Sequence, residues 1–159
     1  MLHINILCVG KIKENFFRDA ISEYSKRLSR FCNLNITELV DEKIPDKASE
    51  KVEQEIKEKE GNNILSHIKK DSYVIALDLR GQEFDSVSFS QKMTKLSINN
   101  SSITFIIGGS LGLSEKVLSS CNEKLCFSKL TFPHQLIRIF LLEQIYRSFK
   151  IANNETYHK

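Results

Sequence analysis

The sequence has no apolar stretch that approaches the roughly 20 residues a membrane-spanning helix needs. Its apolar opening, MLHINILCVG, has neither a basic leader nor a small-residue cleavage site, so it is typical of a first β-strand rather than a signal peptide. Both absences argue against a membrane or secreted protein. We therefore expect a cytoplasmic protein with no membrane partner.

The sequence also has no pair of cysteines at metal-binding or redox spacing. Its four cysteines are Cys8, Cys32, Cys121 and Cys126. Cys8 and Cys126 lie inside apolar strand patterns, where buried thiols are common. No cluster of histidine and cysteine has the spacing of zinc ligands. We expect reduced thiols and no metal site.

Several familiar active-site motifs are missing as well. The chain contains no GxGxxG, no GxxxxGKS or GxxxxGKT and no HExxH. These spacings are the marks of dinucleotide-binding, nucleoside-triphosphate-binding and zinc-peptidase sites. A nucleotide-like ligand would therefore have to be held by backbone groups of other loops.

Composition is that of one globular domain, and we expect a single domain over residues 1–159. The chain is 41% hydrophobic and 27% charged, with a net charge of +3. Dedicated nucleic-acid domains are often more basic, so an RNA partner would need locally concentrated charge. Candidates are Lys11, Lys13 and Arg18. A second basic group, Lys26, Arg27 and Arg30, is better explained as a solvated helix face.

Five strand-like apolar segments alternate with five segments of helical periodicity. The strand predictions are residues 2–9, 34–40, 73–79, 103–107 and 125–127. Ser49 is predicted to cap a surface helix with a break at Gly61, and Arg80-Gly81 is predicted to turn the chain. Continuous apolar strands with helices between them predict a parallel α/β sheet covered on both faces.

The last helix, which follows Pro133, is apolar on two faces. A helix on one core needs an apolar stripe of only about 100°, so its second face predicts contact with another subunit. Arg147 follows Glu143 by four residues, which favours a helical ion pair. Arg138 lies on the apolar surface, where a guanidinium is costly unless it is paired.

Three loops qualify as a binding site because ligands of open α/β sheets lie at the carboxyl ends of strands. They are residues 77–81, 108–113 and 127–133. Three of the six glycines fall between positions 108 and 112, so the backbone there turns sharply or approaches a ligand closely. A tight strand-to-helix turn with no ligand is the alternative. The polar tail, NNETYHK, is either frayed or a source of stacking and titratable groups.

Several stretches together carry a resemblance to a known family. They are ILCVGKIKE, IALDLRG, IIGGSLGLS, FSKLTFPHQLIRIFLLEQIYRSFKI and ETYHK. The chain resembles the RlmH family, the pseudouridine N3-methyltransferases of the bacterial large ribosomal subunit, which belong to the SPOUT class. The likeness extends over essentially the whole chain, and residues 41–70 are its least specific part.

The resemblance implies an α/β SPOUT fold with a deep C-terminal trefoil knot, a feature that hydrophobic patterning cannot reveal. It implies a homodimer, in agreement with the two apolar faces of the last helix. It also implies that S-adenosylmethionine binds in the knot. By matching position, the cofactor-binding residues would be Leu77, Gly108, Phe127, Ser128, Lys129, Leu130, Thr131 and Phe132.

The reaction implied by the resemblance is methyl transfer to N3 of a pseudouridine in helix 69 of 23S rRNA. His158 would take part in catalysis and Tyr157 would stack on the base, both reaching the partner subunit's cofactor pocket. Arg138 would orient the base or a phosphate. Because the chain has little basic charge, we expect it to act on the assembled 70S ribosome rather than on naked RNA.

Three alternatives stay open at this point. A SPOUT methyltransferase acting on tRNA would have the same fold motifs. A ribosome-binding assembly factor without activity is a second alternative, although intact Gly108, Gly109 and Gly112 and the YHK tail argue against it. An unrelated α/β domain is the third.

Overall fold

The computed structural model describes residues 1–159, which form five β-strands alternating with five α-helices. In chain order these are β1 (Leu2–Val9), α1 (Asn15–Leu28), β2 (Cys32–Leu39), α2 (Glu50–His67), β3 (Tyr73–Glu83), α3 (Ser86–Asn99), β4 (Ser102–Ile107), α4 (Glu115–Ser120), β5 (Glu123–Cys126) and α5 (His134–Ala152). All strands pair in parallel, in the order β2-β1-β4-β3-β5. The predicted parallel α/β architecture is confirmed. None of the five helices has the length and hydropathy of a membrane span.

Helices cover both faces of the sheet, and the strand sequences reflect this. Successive side chains of a strand point to opposite faces. Ile4 and Ile6 of β1 therefore join the core beneath α1, α3 and α5, while Leu7 and Val9 join the core beneath α2 and α4. A strand buried on both sides carries long apolar runs, and residues 6–9 of β1 and 105–107 of β4 are such runs. Asn5 and Thr104 are buried polar residues of the same two strands.

Two glycines behave differently from the prediction. Helix α2 runs unbroken through Gly61. A glycine is needed at this position because the start of α4 packs closely on it: a Cβ there would lie 2.5 Å from Ser114 Oγ. Strand β3 does not turn at Arg80-Gly81 but continues to Glu83. Gly81 is instead pressed against β5, since a Cβ on it would lie 2.6 Å from the carbonyl carbon of Lys124.

Strand β3 pairs with β5 at one edge of the sheet, and the pairing is interrupted. Both Leu77 and Gln82 are in register with Leu125, so residues 78–81 form a bulge between them. This bulge lies beside the loops that follow β4 and β5. The three loops therefore meet at the carboxyl edge of the sheet.

Much of the second apolar face of α5 is covered by its own chain rather than by another subunit. The helix lies between α1 and α3, and Phe149 stacks on Phe31 with ring centroids 5.2 Å apart. The apolar surface that stays exposed near α5 is smaller. It includes Phe140 of the helix, which is 38% exposed, and Leu130 of the preceding loop, which is 72% exposed. The homodimer stays a prediction that depends on this smaller apolar surface.

Candidate functional site

The bulge of β3 and the loops that leave β4 and β5 enclose a cavity of about 510 Å³. This volume falls within the range of small-molecule sites. Its wall is formed mainly by residues 77–80, 107–113, 125–128 and 130–132, together with His134 and Ile137. These are the three loops that the sequence singled out, so strand order and the β3 bulge bring them together.

Most of the predicted cofactor-binding residues lie in this wall. Seven of the eight line the cavity, and Lys129 does not: it is exposed beside the wall. The residues that do line it are Leu77, Gly108, Phe127, Ser128, Leu130, Thr131 and Phe132. Ser128 shapes its own loop, because its Oγ accepts a hydrogen bond from the N–H of Leu130 at 3.0 Å.

The glycine-rich loop in the cavity wall contains a tight turn. The N–H of Gly112 donates to the carbonyl of Gly109 at 3.0 Å and closes a tight turn. Gly112 has φ +80°, which L side chains rarely adopt, whereas a Cβ on it would meet no atom within 4 Å. Glycine is thus needed here for its conformation and not for space.

The cavity contains a charged pair, Asp78 and Arg80. Arg80 Nε lies 3.2 Å from Asp78 Oδ1, and its Nη2 lies 3.1 Å from Glu115 Oε1. Burial alone would raise the pKa of Asp78, but hydrogen bonds from the side chain and backbone of Arg80 outweigh it and lower the pKa. Asp78 is therefore ionised at neutral pH.

His134, the first residue of α5, borders the same cavity. Burial lowers the pKa of His134, and the nearby positive charge of Arg138 lowers it further. The imidazole is therefore neutral at pH 7. Its Nε2 lies 3.6 Å from the position that a Cβ on Gly10 would occupy, so it connects the cavity to the end of β1.

Arg138 is buried, with only 2% of its surface exposed. Its Nη1 donates to Glu38 Oε2 at 2.9 Å, and its Nη2 donates to the carbonyls of Val9 and Gly10 at 3.1 and 2.8 Å. The expectation that this guanidinium must be paired is confirmed. These contacts hold the end of β1, whereas the buried Nε of Arg138 has no hydrogen-bond partner. The predicted role of Arg138 in orienting a base or phosphate stays a prediction.

The tail folds back along α5 of its own chain. Tyr157 Oη donates to Glu143 Oε1 at 3.1 Å, and the guanidinium of Arg147 lies 4.7 Å from the centre of its ring. The predicted Glu143–Arg147 ion pair is present at 2.7 Å. His158 Nδ1 lies 3.2 Å from Arg147 Nη1. Burial, and then the bond to Glu143, raise the pKa of Tyr157, so its phenol stays protonated.

His158 borders a second cavity, of about 690 Å³, on the other side of the loop that follows β5. The two cavities share five wall residues, which are Leu125, Cys126, Phe127, Ser128 and Phe132. Phe127 and Ser128 are therefore common to the predicted cofactor site and to the surroundings of His158. The fold brings these two predicted parts of the site to opposite sides of one loop.

Sequence reasoning missed three residues around the first cavity. His134 and Arg80 line it directly, and Glu38 holds Arg138. A signal existed for His134, which lies in the TFPHQ stretch, and for Asp78 with Arg80, since Asp78 is the one polar residue in its apolar strand segment. No local pattern marks Glu38, which meets Arg138 across 100 positions of sequence.

The remaining titratable groups form no second reactive centre. No group of three or more His, Cys, Asp or Glu side chains is placed to hold a metal ion. All four cysteines are free, and burial raises the pKa of the Cys8 and Cys32 thiols to about 12. Such thiols stay protonated and are poor nucleophiles.

Comparisons with known proteins agree with this geometry. A family model described as "Predicted SPOUT methyltransferase" matches residues 2–158. Proteins named ribosomal RNA large subunit methyltransferase H from Clostridium tetani and Clostridium acetobutylicum are 60% and 57% identical over 159 residues, which cover 99% of this chain and 100% of theirs. A solved structure of a probable methylase family protein from Haemophilus influenzae matches with a TM-score of 0.57 and 14% identity, covering 98% of this chain and 70% of that one. At that identity the likeness concerns the fold alone.

Proposed function

The chain belongs to the SPOUT methyltransferase family, and from this we propose that it methylates N3 of a pseudouridine in helix 69 of 23S rRNA, using S-adenosylmethionine. The names of its relatives at 57–60% identity support large-subunit rRNA as the substrate. The resemblance to the RlmH family supports pseudouridine as the target base and N3 as the atom that is methylated. One structural observation carries the proposal: seven of the eight residues assigned to the cofactor by resemblance line one cavity at the carboxyl edge of the sheet.

The first cavity suits the cofactor. S-adenosylmethionine combines a flat base with charged groups of both signs, and the wall offers apolar side chains, exposed loop backbone and the Asp78–Arg80 pair. When bound, the cofactor supplies an electrophilic methyl group. Residues 108–112 and 127–132 would hold it largely through backbone groups, so the work of this chain is mostly positioning.

The role we propose for His158 follows from its contact with Arg147. A guanidinium has donors and no acceptor, so in a hydrogen bond between them the ring nitrogen that faces it, Nδ1, is the acceptor. An imidazole that accepts at Nδ1 donates at Nε2, and we propose that His158 acts in this form. We propose that Nε2–H orients a carbonyl of the target base while N3 loses its proton to water. Tyr157, protonated and packed under Arg147, would supply a stacking surface.

We also propose that the protein acts as a homodimer with a knotted C-terminal segment. The partly exposed apolar surface around Leu130 and Phe140 supports association. The resemblance to the RlmH family supports the knot. In a dimer, the tail of one protomer would act at the cofactor pocket of its partner.

Two experiments test the proposal. Calorimetry should detect binding of S-adenosylmethionine; no measurable affinity would favour the inactive assembly factor. Methyl transfer should then be compared on 70S ribosomes that lack the modification and on bulk tRNA. Activity on tRNA alone would be consistent with the family but would contradict the proposed substrate. Equal activity on isolated 23S rRNA would contradict the preference for assembled ribosomes.

A further inference from the structure

The loop between β1 and α1 carries two exposed lysines and leads to an exposed aromatic ring. Lys11 and Lys13 are exposed, and Glu14 is the one acid among residues 11–18, which also include Arg18. Asp41 lies near the start of the loop, its Cγ 3.9 Å from the position of a Cβ on Gly10. Phe16 is 66% exposed, which is unusual for a ring of this size. Its ring lies next to that of Phe17, with centroids 4.4 Å apart and the planes inclined by 51°.

The conformation of this loop is fixed from within the fold. Glu38 Oε2 accepts a hydrogen bond from the N–H of Ile12 at 2.7 Å and, at the same atom, from Arg138. Arg138 also holds the carbonyls of Val9 and Gly10, where the loop begins. A loop held in place loses little conformational freedom on binding, so a contact made by it is more favourable than one made by a mobile loop.

The same loop lies beside the cofactor cavity. His134 lines the cavity, and its Nε2 and Arg138 Nη2 lie 3.6 and 3.8 Å from the position a Cβ on Gly10 would occupy. Gly10 leads directly to Lys11. The loop that carries the two lysines and leads to Phe16 therefore begins beside the cavity wall.

We propose that the β1–α1 loop binds the RNA substrate, with Phe16 stacked on an unpaired base and Lys11 and Lys13 at neighbouring phosphates. An exposed ring with lysines beside it is the combination that binds single-stranded RNA, because stacking tolerates any base and the charges follow the backbone. It also provides the local charge that a chain of net charge +3 needs in order to bind RNA. This inference rests on the proposed function, to which it adds a site of contact with the RNA substrate.

The test compares two variants with matched controls at the opposite edge of the sheet. Lys11→Ala/Lys13→Ala is paired with Lys69→Ala/Lys70→Ala, which removes two exposed lysines just before the amino end of β3. Phe16→Ala is paired with Ile98→Ala, because Ile98 is 77% exposed near the amino end of β4. The readouts are the KM for unmodified 70S ribosomes, its salt dependence, and calorimetric affinity for S-adenosylmethionine.

We expect Phe16→Ala to raise the KM at least about fivefold, the lower end of what losing one base–aromatic stack costs, and Phe16→Tyr to restore it. The double lysine variant should flatten the slope of log affinity against log salt by about 1 for each lysine. Cofactor affinity and both controls should match the wild type. Unchanged KM and salt slope in an active enzyme would overturn the inference.

A photocrosslinking residue at position 16 separates RNA from other partners. A crosslink to rRNA is expected; a crosslink to a ribosomal protein or to a second copy of this chain would overturn the assignment. If the wild type transfers no methyl to any RNA, the proposed function fails on its own. Co-sedimentation of the same variants with ribosomes then still decides whether the loop binds RNA.

Discussion

Replacing Arg138 by methionine is the sharpest test of how this site is built. The side chain is 2% exposed and donates to one carboxylate and two backbone carbonyls. Removing one member of a buried ion pair costs about 3–5 kcal/mol, because its partner is left without compensation. Since the side chain of Glu38 is 36% exposed and can be rehydrated, we expect the lower end, about 3 kcal/mol of unfolding free energy.

Urea unfolding followed by circular dichroism measures this loss, and a double-mutant cycle with Glu38→Gln isolates the pair. We expect Glu38→Gln to cost about 1 kcal/mol, since glutamine can still accept from Ile12 N–H and only the charge is lost. The double variant should cost less than the sum of the two single variants. Glu23→Gln, which removes the acid of an exposed α1 pair with Arg27, is the control and should change stability little.

The contrary result is equally specific. If Arg138→Met has the stability of the wild type but loses methyl transfer, Arg138 acts on the substrate and not on the fold. The prediction that Arg138 orients a base or phosphate would then be confirmed. The contacts that Arg138 makes in the single chain would not be those of the active enzyme.

Four further predictions concern single positions. Gly112→Ala should raise the conformational free energy of the loop by about 1–2 kcal/mol, because φ is +80°. It should therefore weaken S-adenosylmethionine binding about tenfold in calorimetry, whereas Ser110→Ala should leave this affinity unchanged. Gly81→Ala should destabilise by about 3 kcal/mol or more or prevent folding, because the new Cβ would lie 2.6 Å from backbone; a wild-type melting temperature would refute this packing. His134 has a pKa below its ordinary 6.5, so below about that pH the unfolded state binds the proton first and stability falls as pH decreases; His134→Asn should flatten melting temperature against pH in that window. Cys8 and Cys32, with pKa values of about 12, and Cys121, with about 11, should resist alkylation at pH 8 in the native protein and react once it is unfolded; rapid native labelling of Cys8 would contradict its burial.

The sequence predicted most where the signal is local. The five apolar strands, the Ser49 cap and the Glu143–Arg147 pair all depend on residues within a few positions of one another. Local patterns failed at Gly61 and Gly81. Both looked like breaks, but each glycine is needed because another segment packs on it from more than 40 positions away.

The site shows the same division. Its loops were predictable because strand ends and glycines mark them, and seven of eight residues assigned by resemblance line one cavity. The contacts of Arg138 were not predictable. The sequence identified a guanidinium that needed partners, but it could not show that these partners are Glu38 and the end of β1. The Phe16 ring was missed because an aromatic residue at a helix start is usually assigned to the core.

The most direct test of the whole account is transfer of labelled methyl from S-adenosylmethionine to 70S ribosomes lacking this modification, with the product nucleoside identified by mass spectrometry. We expect the label in N3-methylpseudouridine from 23S rRNA, and a strong loss of rate in His158→Ala. Label in any other nucleoside, or none on ribosomes despite measurable cofactor binding, would contradict the account.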